Sequence, residues 1–504
     1  MKKIFSVKMN ENELWYGGVV FDFIKMPYDC NTKHEFDLSE KEVFDQAASI
    51  LLSNKGRVLR YEPDKVKIEG GVICVTYDNS VPQLINAGCS LKDAYRYAYS
   101  NYFNHDKTVP PKDCFTCPQF NDWMEVGYNQ TQDSILKYAE EIVKEGYKHS
   151  VLMIDDRWSE YYGNFEFSKS CFSDPEKMIK KLHSLGFVVI LWETPFISPD
   201  SPEFRELRDK DFLVKDESGN PAIRKWWNGY SAVLDLSNPS AFEWLKEKNA
   251  LLIAKGIDGF KFDAGNVDYY KASDKNYGNA SPVEQNRKYC EFGKMYKYNE
   301  LRSIVNESGT GCMWRQCDKA HSFEEDGLKG IVGAALMQNL LGYWYAAPDM
   351  VGGGSIGSDK IVDEELFVRY AEASSLMVMM QMSRLPHGCL SRVNADLCKK
   401  YADLHYEFGE YIYSLALNAS ETGDPILKML EYEYPGQGFE REFGSFMLGD
   451  KYLVSPIIEK GQFTKKIRLP QGRWEYVYDG KIYDGGKEYE FSTPLEVLPY
   501  FVKK

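Results

Sequence analysis

Gly256-Ile257-Asp258-Gly259-Phe260-Lys261-Phe262-Asp263-Ala264-Gly265-Asn266 reads as a buried strand that ends in a carboxylate. Phe260 and Phe262 alternate with Lys261, a glycine precedes the run, and Asp263 stands where the strand gives out beside small residues. In a parallel α/β barrel the chemistry sits at the C-terminal ends of the strands. A carboxylate there, with open space next to it, is a candidate nucleophile or general base. Upstream, Ser237-Asn238-Pro239 caps a helix that runs through Leu251 to Gly256. Proline just inside the cap and glycine just past the end are the expected helix punctuation. The same rhythm recurs further back. Gln132 to Gly146 carries Ile135, Leu136, Ala139, Ile142 and Val143 on one helical face. Ser150 to Asp156 follows as a strand, Asp174-Pro175 opens a helix that stops at Gly186, and Phe187 to Trp192 is the next strand. Alternating strands and helices with glycines between them predict a parallel sheet, and residues 114–420 have the length of a (β/α)8 barrel. A doubly wound sheet is the alternative, but no Gly-x-Gly-x-x-Gly turn follows a strand.

Outside this region the pattern is β-rich. Residues 1–113 contain short apolar runs such as Val72 to Tyr77, which follow Gly70-Gly71 and end in turn residues, and Pro110-Pro111 marks a linker. This predicts an N-terminal β-sandwich with a few helical insertions. A helical stretch spans about 396–416, and strands return in residues 421–504, where Asp479-Gly480 signals a hairpin. The expected α/β architecture is therefore a (β/α)8 TIM barrel flanked by an N-terminal β-sandwich and a small C-terminal β-domain.

Composition narrows the function. At 504 residues the chain exceeds one hydrophobic core. Its formal net charge of −14 argues against a nucleic-acid or anionic-membrane partner. The eleven cysteines are scattered, and Cys114-x-x-Cys117 has no second pair to complete a zinc ribbon. The seven histidines form no His-Glu-x-x-His motif, so a zinc hydrolase is not expected, and no cofactor is assigned. The N-terminus has two early lysines but no apolar signal region, and no run reaches the length of a membrane span. A cytoplasmic protein is the expectation.

Cleaving a glycosidic bond passes through a cationic anomeric carbon. One ionised carboxylate attacks or stabilises it, and a protonated carboxyl on the other side supplies the leaving group's proton. By position, Asp263 and Asp318 qualify, the latter in Trp314-Arg315-Gln316-Cys317-Asp318-Lys319. A helix cap and a solvated loop residue are the competing readings of the two. Lys261 lies beside the first on its strand, and if inward it lowers the pKa of a nearby acid. Trp192 ends one strand and Trp227 sits in a paired-Trp block; both look like walls for a sugar ring, with core packing the alternative.

Several blocks occur in order: Trp15-Tyr16-Gly17-Gly18, Trp226-Trp227-Asn228-Gly229, Ala232 to Asp235, Phe260 to Gly265, Leu341-Gly342-Tyr343 and Pro348-Asp349-Met350-Val351-Gly352-Gly353. With them the chain resembles glycoside hydrolase family 31, and within it an α-galactosidase-like branch. The resemblance covers most of the chain. It implies metal-free, retaining, exo-acting hydrolysis of α-linked sugars, with an oligosaccharide or small glycoside as substrate. α-Galactoside is the first expectation for the glycone. α-Glucoside, α-quinovoside, α-xyloside and α-N-acetylgalactosaminide stay open, as do a transglycosylase and a non-catalytic sugar-binding protein. Homo-oligomers are a habit of the family. By the resemblance Asp263 matches the nucleophile and Asp318 the acid/base, although Asp318 departs from the commoner Trp-x-Gly-Asp pattern. Glu324, Glu325 and Asp326 are its rivals. Asp155 matches a carboxylate that binds sugar hydroxyls, Asp349 a supporting position, and His387 a histidine that touches a hydroxyl. Arg302 matches a substrate-site arginine, a role for which Arg315 competes.

Overall fold

The computed structural model describes residues 2–41, 43–357 and 362–504. At its centre are eight parallel strands: β1 (Gln119–Asn121), β2 (Val151–Ile154), β3 (Val188–Glu193), β4 (Gly259–Phe262), β5 (Tyr298–Leu301), β6 (Met313–Arg315), β7 (Ala346–Ala347) and β8 (Gln381–Met382). They pair in the order β7-β6-β5-β4-β3-β2-β1-β8. The seam between β7 and β8 is crossed by Val351 N–H donating to the Gln381 carbonyl at 2.9 Å. This is the (β/α)8 barrel expected from the alternating rhythm. The strands are only two to six residues long, which is why β1, β7 and β8 leave little trace in the sequence pattern.

Return helices begin at side-chain caps. Thr131 and Ser281 form capping boxes at Gln132–Lys144 and Pro282–Gly293, while Asp174 and Asn238 cap Pro175–Ser184 and Pro239–Ala254. Such caps satisfy amide groups that a helix start would otherwise leave unpaired. Along β4 the register sets the faces: Phe260 and Phe262 pack outward onto Tyr296, Tyr289 and Phe292. Lys261 points into the barrel, beside Trp192 on β3 and Glu300 on β5. Gly259 has no room for a side chain, because a Cβ there would lie 2.0 Å from the Tyr298 carbonyl oxygen.

Between β3 and its return helix the chain makes an excursion. A three-stranded antiparallel sheet of Phe196–Ile197, Gly229–Val233 and Ile223–Trp226 carries a tight hairpin at Trp227-Asn228 over the barrel mouth. The N-terminal part forms two sheets. One holds Lys3–Lys8, Val72–Tyr77, Lys65–Glu69 and His34–Asp37; the other holds Trp15–Val19, Gln46–Ser53, Arg57–Arg60 and Gln83–Asn86. The second sheet recruits Ile304–Val305 from the barrel chain, parallel to Gln46–Ser53. Gly18 makes close approach between the sheets possible: with φ at +83°, its Cβ position would meet the Phe36 ring at 2.6 Å. The C-terminal part has a six-stranded sheet around Trp474, Met447, Leu453 and Phe501, plus a two-stranded ribbon. Asp479-Gly480 lies in the turn between the antiparallel strands Arg473–Tyr476 and Ile482–Asp484. The helix read at about 396–416 is longer, Arg392–Thr422. It stops at Gly423, whose φ of +70° is the left-handed conformation that glycine adopts freely.

All eleven cysteines are free thiols. Among the described residues no group of three or more His, Cys, Asp or Glu is placed to hold a metal ion, and no helix is long and apolar enough to cross a membrane.

Candidate active site

Asp263 is the first residue past β4. Ala264 and Gly265 both take positive φ, +57° and +69°. For alanine this left-handed conformation is strained by about 1–3 kcal/mol. It turns the Ala264 N–H back onto Asp263 Oδ1 at 2.8 Å. Gly265 is obligatory, since a Cβ would sit 2.4 Å from the Tyr289 ring. The carboxylate is 7% exposed. Its Oδ1 also accepts from Arg302 Nε at 2.8 Å, its Oδ2 from Trp192 Nε1 at 3.0 Å, and Arg315 Nη2 lies 3.8 Å from Oδ2. Burial pushes this carboxyl up. The cations Arg302, Arg315 and Lys261, with the Trp192 donor, overcome it and hold the group well below the usual carboxylate range. Asp263 is thus a buried acceptor whose surroundings favour its ionised form.

Asp318 follows β6. Its side chain is 43% exposed, and Oδ1 accepts from Arg315 Nη1 at 2.6 Å. Behind it Asp349 is fully buried. Asp349 accepts the N–H of Lys319 at 2.6 Å and of Gly354 at 2.7 Å, tying the Asp318 loop to the glycine-rich loop after β7. Burial first, then the neighbouring Asp318, pushes the Asp349 carboxyl up to about 6 against the pull of Arg315. The backbone of these loops is also gripped from the N-terminal sheet. Gln46 Nε2 donates to the Arg315 carbonyl at 2.9 Å and to the Arg302 carbonyl. Asp45 accepts the Cys317 N–H, and Gln338 fixes Gln46 Oε1 at 2.7 Å.

On the opposite wall Asp155 caps the end of β2. Its Oδ2 accepts from Lys261 Nζ at 2.6 Å and Asn121 Nδ2 at 2.8 Å. Asp156, beside it, accepts from Tyr162 OH at 3.0 Å and Asn228 Nδ2 at 2.5 Å. Burial and the neighbouring Asp155 charge push the Asp156 carboxyl up to about 6. Asn228 Oδ1 in turn accepts from Tyr128 OH at 2.9 Å, so the hairpin, the loop after β2 and the loop after β1 are linked.

These groups surround a cavity of about 330 Å³ at the C-terminal mouth of the barrel. Asp155, Trp192, Trp227, Lys261, Asp263, Arg302 and Asp318 all line it. Trp227 is 47% exposed with its ring over the Arg302 guanidinium at 5.5 Å, whereas Trp226 packs into the core beside Trp192 and Phe196. Arg315 is 1% exposed and lies behind the lining, so of the two arginines only Arg302 opens to the cavity. His387 is not in the lining: its ring meets Tyr147 OH at 3.2 Å and Asp396 Oδ1 at 3.2 Å, on the short helix Pro386–Cys389. Glu324, Glu325 and Asp326 are exposed and line no part of the cavity. The lining also includes Trp123, Tyr128, Asp156, Ser355 and Ile356. Of these only Asp156 carried a sequence signal, as the second acid after a strand. Trp123 and Tyr128 follow the three-residue β1, and Ser355 and Ile356 sit in a loop whose reach depends on Asp349.

Comparison with known proteins matches residues 119–415 to the glycosyl hydrolases family 31 TIM-barrel domain and residues 423–504 to the glycosyl hydrolase family 31 C-terminal domain. The mouse myogenesis-regulating glycosidase is 31% identical over 427 residues, covering 82% of this chain and 58% of the relative. An isomaltosyltransferase of Sporosarcina globispora is 26% identical, covering 68% of this chain and 34% of the relative. The chain therefore spans little more than half of the one and about a third of the other. A solved α-xylosidase from a soil metagenome, complexed with xylose, superposes with a TM-score of 0.86 at 19% identity, covering all of this chain and 79% of that one.

Proposed function

The chain belongs to glycosyl hydrolase family 31, and on that premise we propose that it is a retaining, exo-acting α-glycosidase with Asp263 as nucleophile and Asp318 as acid/base. The observation that carries this reading is the pairing of two unlike carboxylates on one cavity. Asp263 is buried and held ionised by three cations, and Asp318 is half-exposed on the same cavity. Double displacement needs that difference, because one group must attack as an anion while the other delivers a proton. Retention also needs the carboxyls close, about 5–5.5 Å apart. A single guanidinium, Arg315, reaches both.

In the first step Asp263 attacks the anomeric carbon while Asp318 protonates the leaving oxygen. In the second, water attacks the same carbon, its proton passes to Asp318, and the ester electron pair returns to Asp263. Asp155, held by Lys261, and Arg302 face the cavity as an acceptor and a donor for ring hydroxyls. The cavity volume is at the lower end of the small-ligand range, which supports one terminal sugar rather than a chain threaded through. The glycone proposed is α-galactoside, on the Trp226-to-Gly229 and Pro348-to-Gly353 blocks. The first of these supplies Trp227, at the cavity, and Asn228, which hydrogen-bonds Asp156. α-Glucoside, α-quinovoside, α-xyloside and α-N-acetylgalactosaminide are the competitors, since one hydroxyl or methylene decides among them. Similarity to an isomaltosyltransferase supports a second reading, transfer to a sugar hydroxyl instead of water.

Initial rates on a panel of 4-nitrophenyl α-glycosides test the proposal, with product analysis for hydrolysis against transfer. Preference for galactose supports the full reading, and preference for another sugar removes the glycone assignment alone. Asp263→Ala is expected to abolish turnover, and an unchanged rate would remove Asp263 from the mechanism. A wild-type protein that binds glycosides without turnover would be a sugar-binding protein instead.

A further inference from the structure

A second cavity, of about 240 Å³, lies where the N-terminal sheet meets the barrel, and it shares no lining residue with the first. Its floor is the junction of Gln46–Ser53 with the chain that follows Ile304–Val305. Asn306 has a φ of +64°, a left-handed conformation that asparagine tolerates. There its side chain reaches across the domain boundary. Oδ1 accepts the Ser49 N–H at 2.7 Å, and Nδ2 donates to Ser49 Oγ at 3.0 Å. Ser49 is 1% exposed, and its hydroxyl proton meets no acceptor among the described residues. Asn104 closes the next side, its N–H donating to the Ser308 carbonyl at 2.7 Å. Gly309 permits this approach, since a Cβ there would lie 2.1 Å from the Asn104 carbonyl oxygen.

Two guanidinium groups line this polar hollow with donors to spare. Arg60 gives Nη1 to the Ser49 carbonyl at 3.1 Å and lies over the Tyr102 ring at 5.7 Å. Arg287 gives Nε to Glu307 at 3.0 Å, and its η nitrogens make no hydrogen bond among the described residues. The lining carboxylate, Glu62, is 62% exposed and 3.8 Å from Arg60, so it leaves most of that charge uncompensated. In a chain of net charge −14, paired cations around an uncharged floor are a place for an anion. We propose that this cavity is a second ligand site, taking a monosaccharide-sized anion: a sugar that carries a phosphate or a carboxylate. The arginines take the anionic group, since a guanidinium suits both oxyanions. The Ser49 hydroxyl has a proton to give. Asn104 Nδ2 is engaged by Thr310 at 3.2 Å, which leaves Oδ1 to accept from a sugar hydroxyl. Tyr102 flanks the ring. The volume falls below the usual small-ligand range of about 300–1,000 Å³, so one ring fits and two do not.

The test is isothermal titration of the full chain with glucose 6-phosphate, glucuronate, glucose and inorganic phosphate. One of the two sugar anions is expected to bind saturably at one site per chain, and the tighter of them identifies the anionic group. Glucose and inorganic phosphate should bind more weakly, because each engages only part of the lining; equal binding by either would overturn the assignment to a sugar anion. Arg60→Gln and Arg287→Gln should each weaken the sugar anion by about 10- to 100-fold, the loss expected for a charge-assisted hydrogen bond. Turnover of glycosides should be unchanged in both. Arg60→Gln keeps the test open if Arg287→Gln does not fold, since Arg60 holds only an exposed carboxylate and a backbone carbonyl. Binding should survive Asp155→Asn, which alters the first cavity alone, and the sugar anion should not compete with a 4-nitrophenyl glycoside in initial rates. No binding of either sugar anion would overturn the proposal. So would binding that is lost in Asp155→Asn and kept in Arg60→Gln, which would place the ligand in the barrel mouth instead.

Discussion

Asp156→Asn is expected to stabilise the protein at neutral pH and to do nothing at acid pH. Asp156 is 2% exposed, and its carboxyl is pushed from an ordinary 3.8 up to about 6, first by burial and then by the Asp155 charge. The sign follows from linkage. A folded state that holds the proton more tightly than the unfolded chain is most stable below the unfolded value. It loses stability as pH rises from there through the folded value. A shift of about two units at 1.36 kcal/mol each amounts to about 3 kcal/mol, fully lost above about pH 6. Asparagine is neutral throughout. With its amide oxygen toward Asn228 Nδ2 and Tyr162 OH it keeps both donors satisfied. Those bonds lose their charge assistance, so a net gain of about 1–3 kcal/mol is expected. Urea unfolding followed by tryptophan fluorescence, run from about pH 4 to about pH 8, reads the difference directly. The gain should open between the two pKa values and then plateau. A difference that is the same at every pH, or an asparagine variant that is less stable at neutral pH, would refute the reasoning. Activity should fall in the same variant, because a stabilising change at a cavity residue removes an interaction kept for the ligand.

Three further outcomes follow from the same geometry. Arg302→Gln removes the largest of the cation contributions that keep Asp263 low, so the acid limb of kcat/KM should rise by about 1–3 pH units; a limb that does not move would leave Arg302 with substrate binding only. Lys261→Met breaks the buried pair with Asp155 and should cost about 3–5 kcal/mol in unfolding, with less lost in the Lys261→Met/Asp155→Asn double variant. A double variant that is no better than the single one would show the pair to be uncoupled. His387→Ala should leave kcat and KM unchanged, because its ring is engaged by Tyr147 and Asp396 away from the cavity; a raised KM would place it in the site after all.

The barrel was legible because its signals are local. Asn238-Pro239 and Asp174-Pro175 mark helix starts chemically, and the Phe260-Lys261-Phe262 alternation separates the packed face from the lumen before any neighbour is known. Asp263, Asp155 and Trp192 could be placed because each stands at the end of such a strand. Tertiary contacts were invisible to the same reasoning. Arg302 and Arg315 lie in equivalent positions after and on short strands. Only the fold shows that one opens to the cavity and the other is buried among carboxylates. The same holds for His387, whose ring meets Tyr147, 240 residues away in the chain, and is not in the lining. Trp123 and Tyr128 escaped because a strand of three residues carries no usable period.

The grip of Asp45 and Gln46 on the backbone around Arg302, Arg315 and Cys317 changes how the molecule can be taken apart. The barrel looks like a portable module, yet the peptide groups that carry its two arginines and lead into Asp318 are fastened by residues belonging to another domain. A barrel transplanted without that first sheet would keep every lining side chain and lose the outer brace that sets their aim. Chimeras between relatives should therefore exchange the strand Gln46–Ser53 together with the loops after β5 and β6, as one inherited piece.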